Sequence, residues 1–289
     1  MHSSANPASS VIVGTGYTGL RVLNALQVQQ SFGINRATPT ATDRKIERLD
    51  LDHLEDREIR LPVACTLLYC VPPSTVSLQD RRLESFLSRV QPTPARIVYL
   101  STSGVYGDRG GKLTHESDPT NPTTDRAKRR FAAEQWLEQW CQQTSCEHFV
   151  LRVPGIYGPG RLGLERLRTG GAIVRDGDSG PGNRIHVDDL VTCCIAAMTN
   201  AAPPGVYNVA DGDHRNNYWF RRTVAELAGL PAPREISLEE ARREWGEVRA
   251  SFLQESRQLD TGKLRRELRV ELLYTDAEDG IRASLAGEA

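Results

Sequence analysis

Val11-Ile12-Val13-Gly14-Thr15-Gly16-Tyr17-Thr18-Gly19-Leu20 is the stretch that decides the fold. Three β-branched residues make a short strand, and a glycine ends it. Leu20, Val22, Leu23 and Leu26 then recur at helical spacing. Strand, Gly-x-Gly-x-x-Gly loop and helix together are what the pyrophosphate of a dinucleotide needs. Gly14 permits the tight turn, Gly16 lets the backbone approach phosphate without a Cβ between, and Gly19 lets helix and strand pack closely. The helix N-terminus turns unpaired N–H groups and its positive dipole end toward the anion. The spacing alone is a weak signal, and its place at the end of the first strand makes it a strong one. Gly14, Thr15, Gly16, Tyr17, Thr18 and Gly19 are therefore the expected cofactor loop.

Outward from this loop, strands and helices alternate. Residues 32–34 and 49–51 read as the second and third strands. Residues 65–71 form a continuous apolar run stopped by Pro72-Pro73, as in a strand buried on both faces. Residues 78–90 read as a helix, 96–101 as a strand, 126–141 as a helix and 148–153 as a strand. That order implies an α/β fold, a Rossmann-type doubly wound parallel sheet. Residues 155–182 are rich in glycine and read as a loop-rich cap. Helices are expected at 188–198, 237–249 and 276–285, with a strand at 206–209. The expected organisation is a disordered lead-in over 1–9 and an NAD(P)-binding domain over 10–154, to which 185–212 returns. A small C-terminal substrate subdomain occupies most of 155–289.

Composition narrows the function classes. The chain has 289 residues, 25% of them charged, and a formal net charge of −1. No global field attracts nucleic acid or an anionic membrane, and the basic run Lys128-Arg129-Arg130 is too short to change that. No apolar run reaches the length of a membrane helix, and residues 1–10 lack the apolar core of a signal peptide. Cys65 and Cys70 flank an apolar strand, and Cys193-Cys194 lies in an apolar run, the pattern of free thiols in a cytoplasmic protein. Cys141, Cys146 and His148 are the nearest approach to a metal set and lack ligand spacing, so no metal is expected.

The second strand closes on Ile34-Asn35-Arg36. A carboxylate there would bind the ribose 2′-hydroxyl of NAD. An arginine suits the 2′-phosphate of NADP, so NADP is favoured. Asp50, after the third strand, is placed to accept from the adenine amine.

Later motifs carry a family resemblance. Leu100-Ser101-Thr102-Ser103-Gly104-Val105-Tyr106-Gly107 resembles the Ser-Ser/Thr-x-x-Val-Tyr-Gly signature of the extended short-chain dehydrogenase/reductases, the nucleotide-sugar epimerase/dehydratase group. Leu151-Arg152-Val153-Pro154-Gly155-Ile156-Tyr157-Gly158-Pro159-Gly160, Arg184-Ile185-His186-Val187-Asp188-Asp189-Leu190 and Tyr207-Asn208-Val209-Ala210 resemble its next three motifs in order. The resemblance covers nearly the full chain. It implies hydride transfer to or from a nicotinamide ring on a small-molecule, sugar-nucleotide-like or anionic substrate. It also implies that Val71, Pro72, Pro73, Ser101 and Pro154 line the cofactor, and that the helices near 78–90 and 126–141 form a homodimer.

One motif of the group is absent. Its Tyr-x-x-x-Lys pair stacks on one helix face, where the lysine lowers the tyrosine pKa for proton transfer. Aligning Pro122 and Glu134 with the group's flanking residues puts Arg126 in the place of Tyr and Arg130 in that of Lys. No tyrosine in the chain has lysine four residues on. This is similar to the atypical, YeeZ-like members of the group. Thr102 holds the group's Ser/Thr position and is the expected contact of the substrate oxygen. Tyr106 is a second catalytic candidate. Arg126, Arg130, Tyr157 and Arg161 are the candidate substrate contacts. His186 is read as a structural cap of the following helix, with Asp188 near its N-terminus. Two functions remain open: an NADP(H)-dependent oxidoreductase with a non-standard proton donor, or an NADP(H)-binding sensor without turnover.

Overall fold

The central sheet has seven parallel strands: β1 (Ser9–Val13), β2 (Gln30–Asn35), β3 (Ile46–Arg48), β4 (Thr66–Tyr69), β5 (Arg96–Thr102), β6 (Glu147–Val153) and β7 (Gly205–Asn208). They lie in the order β3-β2-β1-β4-β5-β6-β7. Each neighbouring pair is parallel, with Val13 opposite both Ile34 and Tyr69. The expected doubly wound Rossmann fold is borne out. The sheet grows outward in both directions from β1 and β4. Ligands in such sheets bind at the carboxyl ends of the strands, where the winding reverses. The computed structural model describes residues 9–27, 30–37, 42–54, 57–246 and 255–287.

The helices are α1 (Tyr17–Ala25), α2 (Arg81–Leu87), α3 (Asp125–Thr144), α4 (Leu164–Arg168), α5 (Val187–Thr199), α6 (Asn217–Leu227), α7 (Leu238–Trp245) and α8 (Ala277–Ala286). Side chains alternate across a strand, so each sheet face gathers its own core. Ile12, Leu68 and Val98 meet Val22 and Leu23 of α1 and Leu190 and Cys194 of α5. Val11, Leu67 and Ile97 meet Phe86 of α2 and Leu137 of α3. Burial on both faces explains why Val11–Val13 of β1 and Leu67–Tyr69 of β4 run apolar without alternation. A separate small core of Leu162, Leu167, Phe220, Val224 and Ile281 holds α4, α6 and α8 together as the subdomain.

Several expected boundaries moved. Ser9 was expected in the disordered lead-in and instead begins β1, fully in the sheet; residues 1–8 lie outside the described residues. The third strand was expected at 49–51 and forms at Ile46–Arg48, where Ile46 pairs with Gly33. It is an edge strand with little to bury, so its apolar marker, Leu49, falls just beyond it. The helix expected at 78–90 is shorter, because Asp80 caps it and Val90–Gln91 pairs with Ile59–Arg60. Residues 155–182 were expected as loop and contain a strand at Gly155–Tyr157, helix α4 and a strand at Ile173–Val174. Helix α6 was not expected at all. The helix expected at 237–249 spans Leu238–Trp245 behind a Ser237–Glu240 capping box, and residues 247–249 lie outside the described residues.

Candidate active site

One cleft with two halves opens at the carboxyl ends of the strands. The half over β1 and β4 encloses about 580 Å³, and the half under the subdomain encloses about 520 Å³. Thr102, Arg126, Pro154, Ile156 and Arg161 line both.

The first half is built mostly from main chain. Gly14 has φ +91°, and a Cβ there would sit 2.8 Å from Val71 Cγ2. A Cβ on Gly19 would sit 2.1 Å from the Gly14 carbonyl oxygen. Gly16 is different: a Cβ there meets nothing within 4 Å, because the residue faces the open cleft. Gly16 is also the N-cap of α1, which has no side-chain cap and no acid in its first turn. These first-turn N–H groups and the open cradle fit a pyrophosphate. Tyr17, Thr18, Arg36, Asp50, Val71, Pro72, Ser101 and Pro154 line the same half. Thr15 and Pro73 do not. Thr15 is buried and turns its methyl under Gly33, while Pro73 lies past the edge of the cleft.

Two features of this half were missed in the sequence. Arg82 on α2 donates through Nε and Nη2 to both oxygens of Asp52, each at 2.6 Å, and through Nη1 to the Pro72 carbonyl at 3.1 Å. The hydrogen bond from Arg82 holds the Asp52 carboxyl below the usual carboxylate range. The Tyr17 ring lies between two guanidinium groups, Arg21 at 4.1 Å and Arg161 at 3.8 Å, and its hydroxyl donates to the Pro159 carbonyl at 2.9 Å. Partners 30 and 144 residues apart leave no local pattern.

Thr102 and Arg126 stand at the passage between the halves. Thr102 ends β5, and its Oγ1 accepts from Gly104 N at 3.2 Å. That contact uses a lone pair and leaves the hydroxyl hydrogen to donate. Thr124 caps α3 by accepting from Ala127 N, which sets Arg126 in the first turn, at the passage. Burial lowers the Arg126 pKa against the opposing charge of Glu255, and the group stays a cation. Arg130, one turn on, donates to the Tyr99 hydroxyl at 3.0 Å and the Val71 carbonyl at 3.4 Å. Beneath them, Ser101 donates to Glu134, whose carboxylate pairs with Arg152 at 2.7 Å, both side chains 6% exposed.

Tyr106 is not in the cleft. It is fully buried, donates to Asn208 Oδ1 at 2.7 Å and packs against the Arg152 guanidinium at 4.7 Å. Burial pushes its phenol up to about 12, which suits packing rather than proton transfer. Tyr157 lines the second half with its ring. Its edge meets His186 and Phe220, and its hydroxyl points at Gly280, where a Cβ would come within 2.2 Å. His186 caps α5 by accepting from Asp188 N at 3.2 Å.

The second half is lined by arginines. Arg126, Arg161, Arg166, Arg184, Arg221 and Arg257 face one lining carboxylate, Glu255. Asp211 lies buried beside Arg184, and burial pushes its carboxyl up to about 8. Among the described residues no cluster of His, Cys, Asp and Glu is arranged to hold a metal, and no helix is long and apolar enough to cross a membrane. The six cysteines are free thiols.

Comparison with known proteins bears out the family resemblance. Residues 74–210 match the model of the NAD dependent epimerase/dehydratase family. A functionally unknown conserved protein from Silicibacter pomeroyi DSS is 28% identical, with TM-score 0.78 over 96% of this chain and 98% of that one. MoeE5 in complex with UDP-glucose and NAD is 18% identical, with TM-score 0.74 over 96% of this chain and 97% of that one. Human epimerase family protein SDR39U1 with NADPH is 16% identical, with TM-score 0.74 over 96% and 99%. The last two establish a shared fold. The first curated relatives are matched over 30% and 38% of their own length.

Proposed function

We propose that this chain is an NADP(H)-dependent oxidoreductase of the epimerase/dehydratase type, acting on an anionic small molecule. The observation that carries the reading is the uncapped first turn of α1 behind Gly16, opening onto a cleft that also holds Thr102 and Arg126. The dinucleotide, when bound, supplies a hydride donor or acceptor at its nicotinamide ring. The α1 N-terminus and Gly16 hold its pyrophosphate, Arg36 its 2′-phosphate and Asp50 its adenine amine. Thr102 donates to the substrate oxygen, and Arg126 stabilises negative charge there. A guanidinium does not exchange a proton near neutral pH, so water supplies the proton.

A second reading follows from the arginines that stand where Tyr and Lys are expected: an NADP(H) sensor without turnover. The six free thiols suit a cytoplasmic location. The half-buried, stacked Trp136 and Trp140 on α3, 6.4 Å apart, suit a homodimer through α2 and α3.

Fluorescence titration with NADPH and NADH tests the cofactor. NADPH is expected to bind more tightly, and Arg36→Ala to lose about 10- to 100-fold of that preference, as for one charge-assisted contact. Equal affinities would sink the Arg36 assignment. Hydride exchange with a panel of carbonyl compounds tests turnover. If NADPH binds, nothing is reduced and Thr102→Ala changes nothing, the sensor reading stands instead.

A further inference from the structure

We infer that the adenine ring of the dinucleotide stacks on the face of the Arg82 guanidinium, and that Asp52 is the positioning residue that holds this face in place. The inference rests on the dinucleotide-binding part of the proposed function and is independent of turnover.

Arg82 stands in the first turn of α2, one of several arginines around the first half of the cleft. It is set apart by having all three of its nitrogens engaged. Nε and Nη2 each donate to Asp52 at 2.6 Å, and Nη1 donates to the Pro72 carbonyl at 3.1 Å. Arg130, in the same half, donates through Nη1, to Tyr99 and to Val71. A bidentate fork on one edge and a third bond from Nη1 leave the planar group of Arg82 little freedom to turn. Its side chain still keeps 22% of its surface open. Held by its edges, the group offers a ligand its face.

The same bonds set where that face lies. Asp52 N donates to Asp50 Oδ1 at 3.0 Å. One tight turn therefore carries both the carboxylate that holds Arg82 and the one proposed to accept from the adenine amine. The bond to Pro72 ties this turn, after β3, to the turn after β4. Asp50, Leu51, Asp52, Pro72 and Arg82 all line the half. The glycine loop presents main chain to the pyrophosphate, and this end presents a flat side-chain surface.

Charge decides between a phosphate and a base as the occupant. Asp52 already compensates the Arg82 cation, so an added anion would gain little and would meet the Asp52 carboxylate. Arg36 is exposed and remains the contact for the 2′-phosphate. An uncharged ring suits a planar, delocalised guanidinium, which attracts a π face and needs no further hydrogen bond to do so.

The probes are ADP, inosine diphosphate and inorganic pyrophosphate, titrated calorimetrically into the full-length protein. ADP is expected to bind at least about tenfold more tightly than pyrophosphate, the scale of one stacked base. Arg82→Ala should cut that advantage by about 3- to 30-fold, the range of one cation–π contact. Pyrophosphate binding should stay unchanged in this variant, which also shows that it is folded. Inosine diphosphate has the purine ring without the amine, so it should suffer the same loss. Asp52→Asn keeps the shape but weakens the fork, and should lose part of the advantage; it decides the matter if Arg82→Ala does not fold. An undiminished advantage in either variant would overturn the inference. So would an equal loss of pyrophosphate binding, which would put Arg82 on the phosphates, or a loss confined to ADP, which would make it act through the amine. If the unmodified protein binds none of NADPH, ADP and pyrophosphate, the dinucleotide reading itself fails. If NADPH binds and the variants change nothing, the stacking alone fails.

Discussion

At the cofactor end of the cleft a ligand would meet main chain: the glycine loop, the turn after β4 and the open first turn of α1. At the substrate end it would meet guanidinium groups, several of them held by carbonyls of the subdomain. The difference lies in what specifies each site. A main-chain site is fixed by a few adjacent residues without side chains, so its spacing is written in one stretch. A side-chain site is assembled from α3, the turn after Tyr157, α4, α6 and the segment near 257, and its partners are far apart in the chain. The first end should tolerate almost no added atoms. The second should tolerate single changes and respond to charge.

The largest effect should come from Gly19→Ala. Its Cβ would meet the Gly14 carbonyl at 2.1 Å, inside the protein, so the loop must shift. Both thermal stability and NADPH binding should fall, the latter by more than about 100-fold, as a misplaced pyrophosphate cradle implies. Gly16→Ala separates the two properties, since its Cβ meets nothing in the protein within 4 Å. Stability should stay within about 1 kcal/mol while NADPH binding falls at least about tenfold. If Gly16→Ala binds NADPH normally, the phosphates do not lie over Gly16 and the cofactor end is wrongly drawn.

The next effect belongs to the substrate end, where charge is buried. Asp211 keeps a carboxyl near Arg184, and burial raises its pKa from 3.8 to about 8. Arg184, Asp213 and Asp189 are the charged groups acting on it. The unfolded chain loses this proton near 4 and the folded one only near 8. Stability should therefore fall as pH rises through that window, by about 1.4 kcal/mol per pH unit at most. Asp211→Asn should flatten the fall between pH 5 and pH 8 in urea unfolding. An unchanged pH profile in that variant would show Asp211 to be ionised in the folded protein.

The same contrast explains what could be read in advance. Gly14, Gly16 and Gly19 were legible because steric need selects glycine within six residues. The buried strands β4, β5 and β6 were legible because a doubly covered sheet leaves apolar runs. Arg82 and Asp52 were not, because an ion pair between α2 and the turn after β3 has no sequence spacing. Tyr106 was misread for a related reason. Its place in the Val-Tyr-Gly motif suggests the cleft, yet the turn at Ser103–Tyr106 carries the ring down onto Arg152 and Asn208. Helix α6 escaped because its apolar face, Phe220 and Val224, is short and set among arginines.

The smallest effect tests a contact that joins the two ends. Arg161 stacks on Tyr17, a residue of the glycine loop, while the Tyr17 hydroxyl separately holds the Pro159 carbonyl. A cation over an accessible ring is worth about 0.5–1 kcal/mol, so Arg161→Ala should weaken NADPH by about two- to fivefold. Two double variants distinguish ring from hydroxyl. With Tyr17→Leu the ring is gone, and adding Arg161→Ala should cost little more. With Tyr17→Phe the ring remains, and the two losses should add. Additive losses with Tyr17→Leu would mean that Arg161 acts directly on the dinucleotide rather than through the ring. The two ends would then share a ligand contact, and the division between main-chain and side-chain sites would fail at Arg161.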